Sequence, residues 1–184
     1  MNEHIGLIDE FAQALAVKAT GNTIHIPSSK GGGSMTFVQS GDDFRIIIGN
    51  YYLKEQLVME RINKFGADEY ILISFNDIFD PFEKSEQVTV QYQQPRVVVF
   101  SETVSSVLIF PSHTFFRSIY IAVNQAYLKK MMAHIQHPII SRIAENKEHF
   151  AFESNVTVAM VKCAYDLINE NVNEDLKTLY FKIK

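Results

Sequence analysis

The sequence predicts an α+β fold, an antiparallel β-sandwich or barrel followed by a C-terminal helical segment. Three observations lead there. Up to about residue 123 apolar and polar side chains alternate with period 2, whereas from Asn124 onward apolar residues recur at helical spacing. No helix-length connection separates the strand-like runs, which favours antiparallel pairing over β-α-β units. A chain of 184 residues with 47% hydrophobic and 21% charged side chains suits one sizeable domain with an appendage.

Residues 1–20 read as an N-terminal helical segment, and residues 21–123 carry the strands. The first feature of note is "SSKGGGSM", residues 28–35. A phosphate-binding loop places its lysine after the last glycine and opens a helix there. Here Lys30 precedes the glycines and "MTFV" follows, which is extended chain. The glycine run is therefore expected to be a mobile turn leading into a strand. "DDFRIIIGNYYLKEQLVMERI" supplies two strands, with Phe44, Ile46 and Ile48 alternating against Arg45, Ile47 and Gly49. "YILISF", "QVTVQY", "RVVVF", "SVLIF" and "FRSIYIAV" continue the series, separated by Gly66, Asp80-Pro81, Pro95 and Pro111-Ser112.

Residues 124–184 are expected to be helical. Asn124 can cap a helix whose inner face is Leu128, Met131, Met132 and Ile135, and Pro138 ends it. Ser154 or Asn155 can cap a longer helix reaching about Asn171. It carries two opposed apolar seams: Val156, Met160, Cys163 and Leu167 on one side, and Val158, Val161, Tyr165, Ile168 and Val172 on the other. Val161, Tyr165, Leu167, Ile168 and Val172 are the candidate residues of a homodimer interface. Asn173 can cap a last helix through Leu176, Leu179, Tyr180 and Ile183. Its pattern reaches Lys184 without a glycine cap or breaker, so more protein is expected to follow.

Several function classes are disfavoured. The net charge of −4 argues against this chain gripping DNA unaided. No apolar run approaches the roughly 20 residues that span a bilayer, and the acidic N-terminus is unlike a signal peptide. The single cysteine, Cys163, fits a reducing cytoplasm and reads as a small buried hydrophobe. Histidines stand at positions 4, 25, 113, 134, 137 and 149. No H-x-H pair with a carboxylate is among them, and the H-x-x-H of His134 and His137 abuts Pro138, so neither metal nor cofactor is expected. No nucleophile elbow is present. What remains is a set of polar-tipped residues whose strand alternation can aim them inward: Arg45, Glu60, Tyr70, Tyr92 and Tyr120, the candidate contacts of a small-molecule effector.

The stretch "IPSSKGGGSMTFVQSGDDFRIIIGNYYLKEQLVMER" resembles the opening of the sensor domain of AraC-type transcription regulators, in the group that includes siderophore-responsive members. The matching elements are Ile26-Pro27, Gly31 and Gly33, Asp42-Asp43, then Tyr52, Leu53, Glu55, Leu57, Met59 and Arg61. "FFRSIYIAVNQAYLKKMM" resembles that family's final barrel strand running into its first helix. The resemblance implies a cupin-like β-barrel or jelly roll followed by helices. It also implies an effector site in the barrel, dimerisation through the helices, and DNA contact only through a C-terminal domain absent from this chain. It carries no metal, because the histidines of metal-binding cupins are missing. Two alternatives stay open: a metal-independent cupin-like enzyme of sugar isomerase or epimerase type, and a structural interaction module with a filled barrel.

Overall fold

The computed structural model describes residues 7–61, 70–78, 94–101, 106–145 and 150–169. The predicted strand "QVTVQY" with Tyr92, the last predicted helix, and Val172 lie outside the described residues. The elements are α1 (Leu7–Ala14), β1 (Thr23–His25), β2 (Gly31–Ser40), β3 (Phe44–Leu53), β4 (Leu57–Arg61), β5 (Tyr70–Asn76) and β6 (Arg96–Ser101). Then come β7 (Ser106–Phe110), β8 (Phe115–Asn124), α2 (Gln125–Met132), α3 (Pro138–Glu145), β9 (Ala151–Asn155) and α4 (Val158–Asn169).

The fold is mostly antiparallel β with a few short helices. Among the described residues, seven strands form one sheet in the order β1-β2-β3-β8-β5-β6-β9, and β4 pairs with β7 in a second, two-stranded sheet. Among the described residues neither sheet closes into a barrel. The pairings β3 with β8, β4 with β7 and β5 with β6 are nested, each enclosed by the last in sequence.

Period-2 alternation gives the large sheet two buried faces. On one, Val38, Phe44, Ile46, Ile71, Ile119 and Val123 form a core with Leu128 of α2 and Ala164 of α4, so these helices cover that face. On the other, Met35, Ile47, Tyr51 and Leu53 pack with Phe11 and Leu15. Leu57, Met59 and Phe110 complete that layer, which places α1 and the small sheet over the second face. Strand β3 is buried on both sides, which explains why it reads as a near-continuous apolar run.

The glycine run is not a turn. Gly31, Gly32 and Gly33 begin β2 and pair with Leu53, Tyr52 and Tyr51. At Gly31 a Cβ would stand 2.0 Å from the Tyr52 carbonyl oxygen, so only glycine lets the strands approach this closely. Lys30 and Lys54 serve structure: their Nζ groups donate to the carbonyls of Leu15 and Ser28, tying α1 and the turn to the sheet.

Asn124 caps α2 as the sequence predicts, its Oδ1 accepting from the amides of Ala126 (2.9 Å) and Tyr127 (3.2 Å). Met131 and Ile135, expected inside, are outward. Pro138 does not merely stop a helix; it opens α3, where its missing N–H costs nothing. The cap of α4 is Thr157, whose Oγ1 accepts from the Met160 amide, because Ser154 and Asn155 are taken into β9. The orientation of α4 also differs from expectation. Val161 packs against the helix-side core, so it is not a free interface residue, while Cys163 is exposed rather than buried. Tyr165 is half-buried, and the side chains of Leu167 and Ile168 lie outside the described residues.

Candidate functional site

The second face of the sheet divides into an apolar and a polar half. Under α1, Phe11, Tyr51, Phe110 and Phe116 form an aromatic cluster, with Tyr51 stacked on Phe116 at 5.4 Å and Phe11 edge-on to Tyr51 at 5.5 Å. Edge-on and offset contacts of this kind add stability beyond area burial. Beside this cluster a cavity of about 290 Å³ opens between β7 and the centre of the large sheet. Its volume sits at the lower end of small-molecule pockets.

Strand register builds the floor. Arg96, Asn76 and Ser118 lie opposite one another on β6, β5 and β8 and form one cross-strand row. The next row on the same face holds Val98, Ser74 and Tyr120. Ser74 Oγ donates to Asn76 Oδ1 at 3.0 Å, and the Tyr120 hydroxyl shares hydrogen bonds with the hydroxyls of Ser74 and Ser118. Burial raises the Tyr120 phenol above its ordinary value, against the opposing pull of those two hydrogen bonds. Burial, and secondarily Tyr120 itself, pushes Tyr51 well above its ordinary value. Both phenols are therefore neutral hydrogen-bonding groups at physiological pH. Leu108 and Phe110 of β7 and Phe116 of β8 supply the apolar wall.

Two arginines border the cavity, Arg96 on the floor's own face of the sheet and Arg117 one step out of phase with Ser118 and Tyr120 on β8, and their partners differ in kind. Arg117 pairs with Asp77 at 2.8 Å, with side chains only 6% and 17% exposed. Asp77 takes a positive φ of 57°, a conformation that a short polar side chain tolerates. Arg96 pairs with Glu153 at 2.9 Å, with side chains 44% and 53% exposed. Breaking a buried pair by removing one partner costs about 3–5 kcal/mol. An exposed pair contributes only about 0.2–1 kcal/mol. Asp77 thus fixes Arg117, whereas the exposed pair with Glu153 contributes little at Arg96.

The expected effector residues are distributed as follows. Tyr120 lines the cavity. Arg45 and Tyr70 meet each other on the same sheet face but at its far end: the Arg45 guanidinium lies 4.9 Å from the Tyr70 ring centroid and donates to its hydroxyl at 3.4 Å. The Tyr70 hydroxyl donates in turn to the Asp42 carbonyl. Glu60 is exposed on the outer face of β4, because Leu57 and Met59 take the inward positions. Asn76, Arg96 and Ser118 are cavity residues that sequence reasoning missed. The available signal was polarity on the inward phase of an otherwise apolar strand, Ser74 and Asn76 in "YILISFN".

The described histidines, 25, 113, 134 and 137, are all exposed. Among the described residues no three His, Cys, Asp or Glu side chains come together as a metal site, and no helix is long and apolar enough to cross a membrane. Hydroxyl, amide and guanidinium groups on one side and an aromatic wall on the other suit reversible recognition of a small organic molecule. Comparison of the chain with protein-family models, curated proteins and solved structures finds no match.

Proposed function

We propose that this chain is a sensory and dimerisation domain of AraC type, in which a small effector occupies the cavity between the two sheets and biases the DNA-binding domain of the full regulator. The observation that carries the reading is the cavity itself, floored by Tyr120, Ser118 and Asn76 and walled by Leu108 and Phe110. The nested pairing of β3 with β8, β4 with β7 and β5 with β6 supports a cupin-like jelly roll, since that fold arises when one long hairpin wraps on itself. The direct passage of β8 into a capped α2 agrees with the strand-to-helix junction on which the family resemblance rests. Dimerisation falls on the outward apolar side chains of the helical layer, Met131, Ile135, Val158 and Met160, rather than on the inward Val161.

A thermal-shift and calorimetric screen of small organic molecules tests the sensor half. A saturable one-to-one binder whose effect disappears in Leu108→Trp, which fills the cavity, supports it. A second reading, a structural module with a filled interior, draws on the aromatic cluster of Phe11, Tyr51, Phe110 and Phe116. It expects no saturable ligand, and Leu108→Trp then changes stability alone. Sedimentation of the chain from low to high micromolar concentration tests dimerisation, and a monomer throughout would refute that half.

A further inference from the structure

The two arginines that border the cavity are held differently. Arg117 is committed to Asp77 in a buried pair, and the cavity's polar floor of Asn76, Ser118 and Tyr120 carries no formal charge. Arg96 stands at the end of the row it forms with Asn76 and Ser118, and the Glu153 carboxylate that pairs with it is exposed on β9. An entering carboxylate that excludes water can replace Glu153 on this guanidinium at little cost, because an exposed pair contributes little and a planar fork accepts a carboxylate through two parallel bonds. Asp77 cannot be replaced in the same way, since the exchange would have to open a buried pair.

We infer that the cavity binds a small monocarboxylate with an apolar body, its carboxylate taking the place of Glu153 on Arg96 and a hydroxyl or carbonyl at its other end meeting Tyr120 and Ser118. This rests on the sensor reading and narrows it to a ligand class. The dimensions agree. Arg96 and Ser118 lie two strands apart, about 10 Å between backbones, which leaves room between side chains for a body one ring long. Leu108, Phe110 and Phe116 offer that body an apolar and aromatic wall. The Tyr120 phenol is neutral, so it can donate to the far oxygen or accept from it, and two neighbouring serine hydroxyls hold its orientation.

The experiment is isothermal titration of the full chain with 4-hydroxybenzoate, its uncharged analogue 4-hydroxybenzamide, and the sugar arabinose as a neutral polyol. Arg96→Gln, Glu153→Gln and Leu108→Trp are titrated alongside, with folding of each checked by circular dichroism. 4-Hydroxybenzoate is expected to bind with a Kd in the millimolar range or tighter, and the amide at least about tenfold more weakly, about 1.4 kcal/mol. Arg96→Gln is expected to abolish that preference, and Glu153→Gln to tighten carboxylate binding severalfold by removing the internal competitor. Arabinose or the amide binding as well as the acid, with Leu108→Trp blocking it, would overturn the carboxylate assignment and leave the sensor site standing. Binding of the acid that survives both Leu108→Trp and Arg96→Gln places it elsewhere and refutes the inference. No binding of 4-hydroxybenzoate at about 10 mM, well above the weakest Kd expected, also refutes it.

Discussion

Gly31→Ala is the sharpest test of how the glycine run is used. Replacing glycine by alanine at a position that tolerates it stabilises a protein by about 0.4–1 kcal/mol, through the unfolded chain. Here the added methyl would sit 2.0 Å from the Tyr52 carbonyl oxygen and 3.0 Å from Ile26 Cγ2. Relief requires β2 and β3 to separate locally by about 1 Å from a normal spacing of about 4.8 Å, which strains the ladder hydrogen bonds flanking the Gly31–Leu53 pair, such as that from the Lys54 amide to the Lys30 carbonyl. One or two such bonds contribute about 0.5–1.5 kcal/mol each, and displacement of the buried Leu53 and Ile26 adds about 1–3 kcal/mol of overpacking. Net of the alanine gain, the expected loss is therefore about 1–5 kcal/mol. Urea unfolding followed by far-ultraviolet circular dichroism measures it, since the chain has no tryptophan to report. Gly41→Ala is the internal control: its Cβ meets nothing within 4 Å, but its φ of +52° should still cost about 1 kcal/mol. If Gly31→Ala is neutral or stabilising, the close approach of β2 to Tyr52 is wrong, and the glycines are the mobile turn that the sequence first implies.

Three further outcomes follow from the geometry. Asp77→Asn keeps a residue suited to positive φ but takes the carboxylate away from the buried Arg117 guanidinium, and should cost about 3–5 kcal/mol, whereas the double change Asp77→Asn with Arg117→Met should recover most of it in the same urea assay. Stability should fall at alkaline pH, because the free phenol ionises near 10.0 whereas Tyr51 and Tyr120 stay protonated when folded. The contribution is complete below about pH 10 and is lost as pH rises through the raised folded values, at about 1.4 kcal/mol per pH unit per phenol, with Tyr51→Phe flattening the decline. Val161→Asp, directed into the core, should cost about 2–4 kcal/mol, whereas Met160→Asp should leave thermal stability within about 0.5 kcal/mol and shift a dimer to monomer in sedimentation; the reverse pattern would invert the orientation of α4.

How far the sequence reaches is best seen in single elements. It places β3, β8 and the Asn124-capped helix closely, because each has a local cause: dense runs of β-branched and aromatic residues in "FRIIIGNYYL" and "FFRSIYIAVN", and a side chain that accepts two amide hydrogens. It misses β9, where "AFESN" has one inward apolar residue, Phe152, and is a strand only because β6 offers an unpaired edge. It misses α3 because a proline that ends one helix is equally suited to start another. The candidate site divides in the same way. Tyr120 was legible, since alternation along β8 sets its phase. The phase of Glu60 depends on which side of β4 faces the large sheet, and one step reverses the inward expectation. That Ser74, Asn76, Arg96 and Ser118 share a floor depends on β5 pairing with both β6 and β8. The sequence by itself thus determined strand periodicity, helix capping and the prevailing antiparallel character, all properties of neighbouring residues. Which faces meet, which arginine is locked and where the cavity opens were decided by tertiary structure, because register and burial arise from contacts between segments distant along the chain.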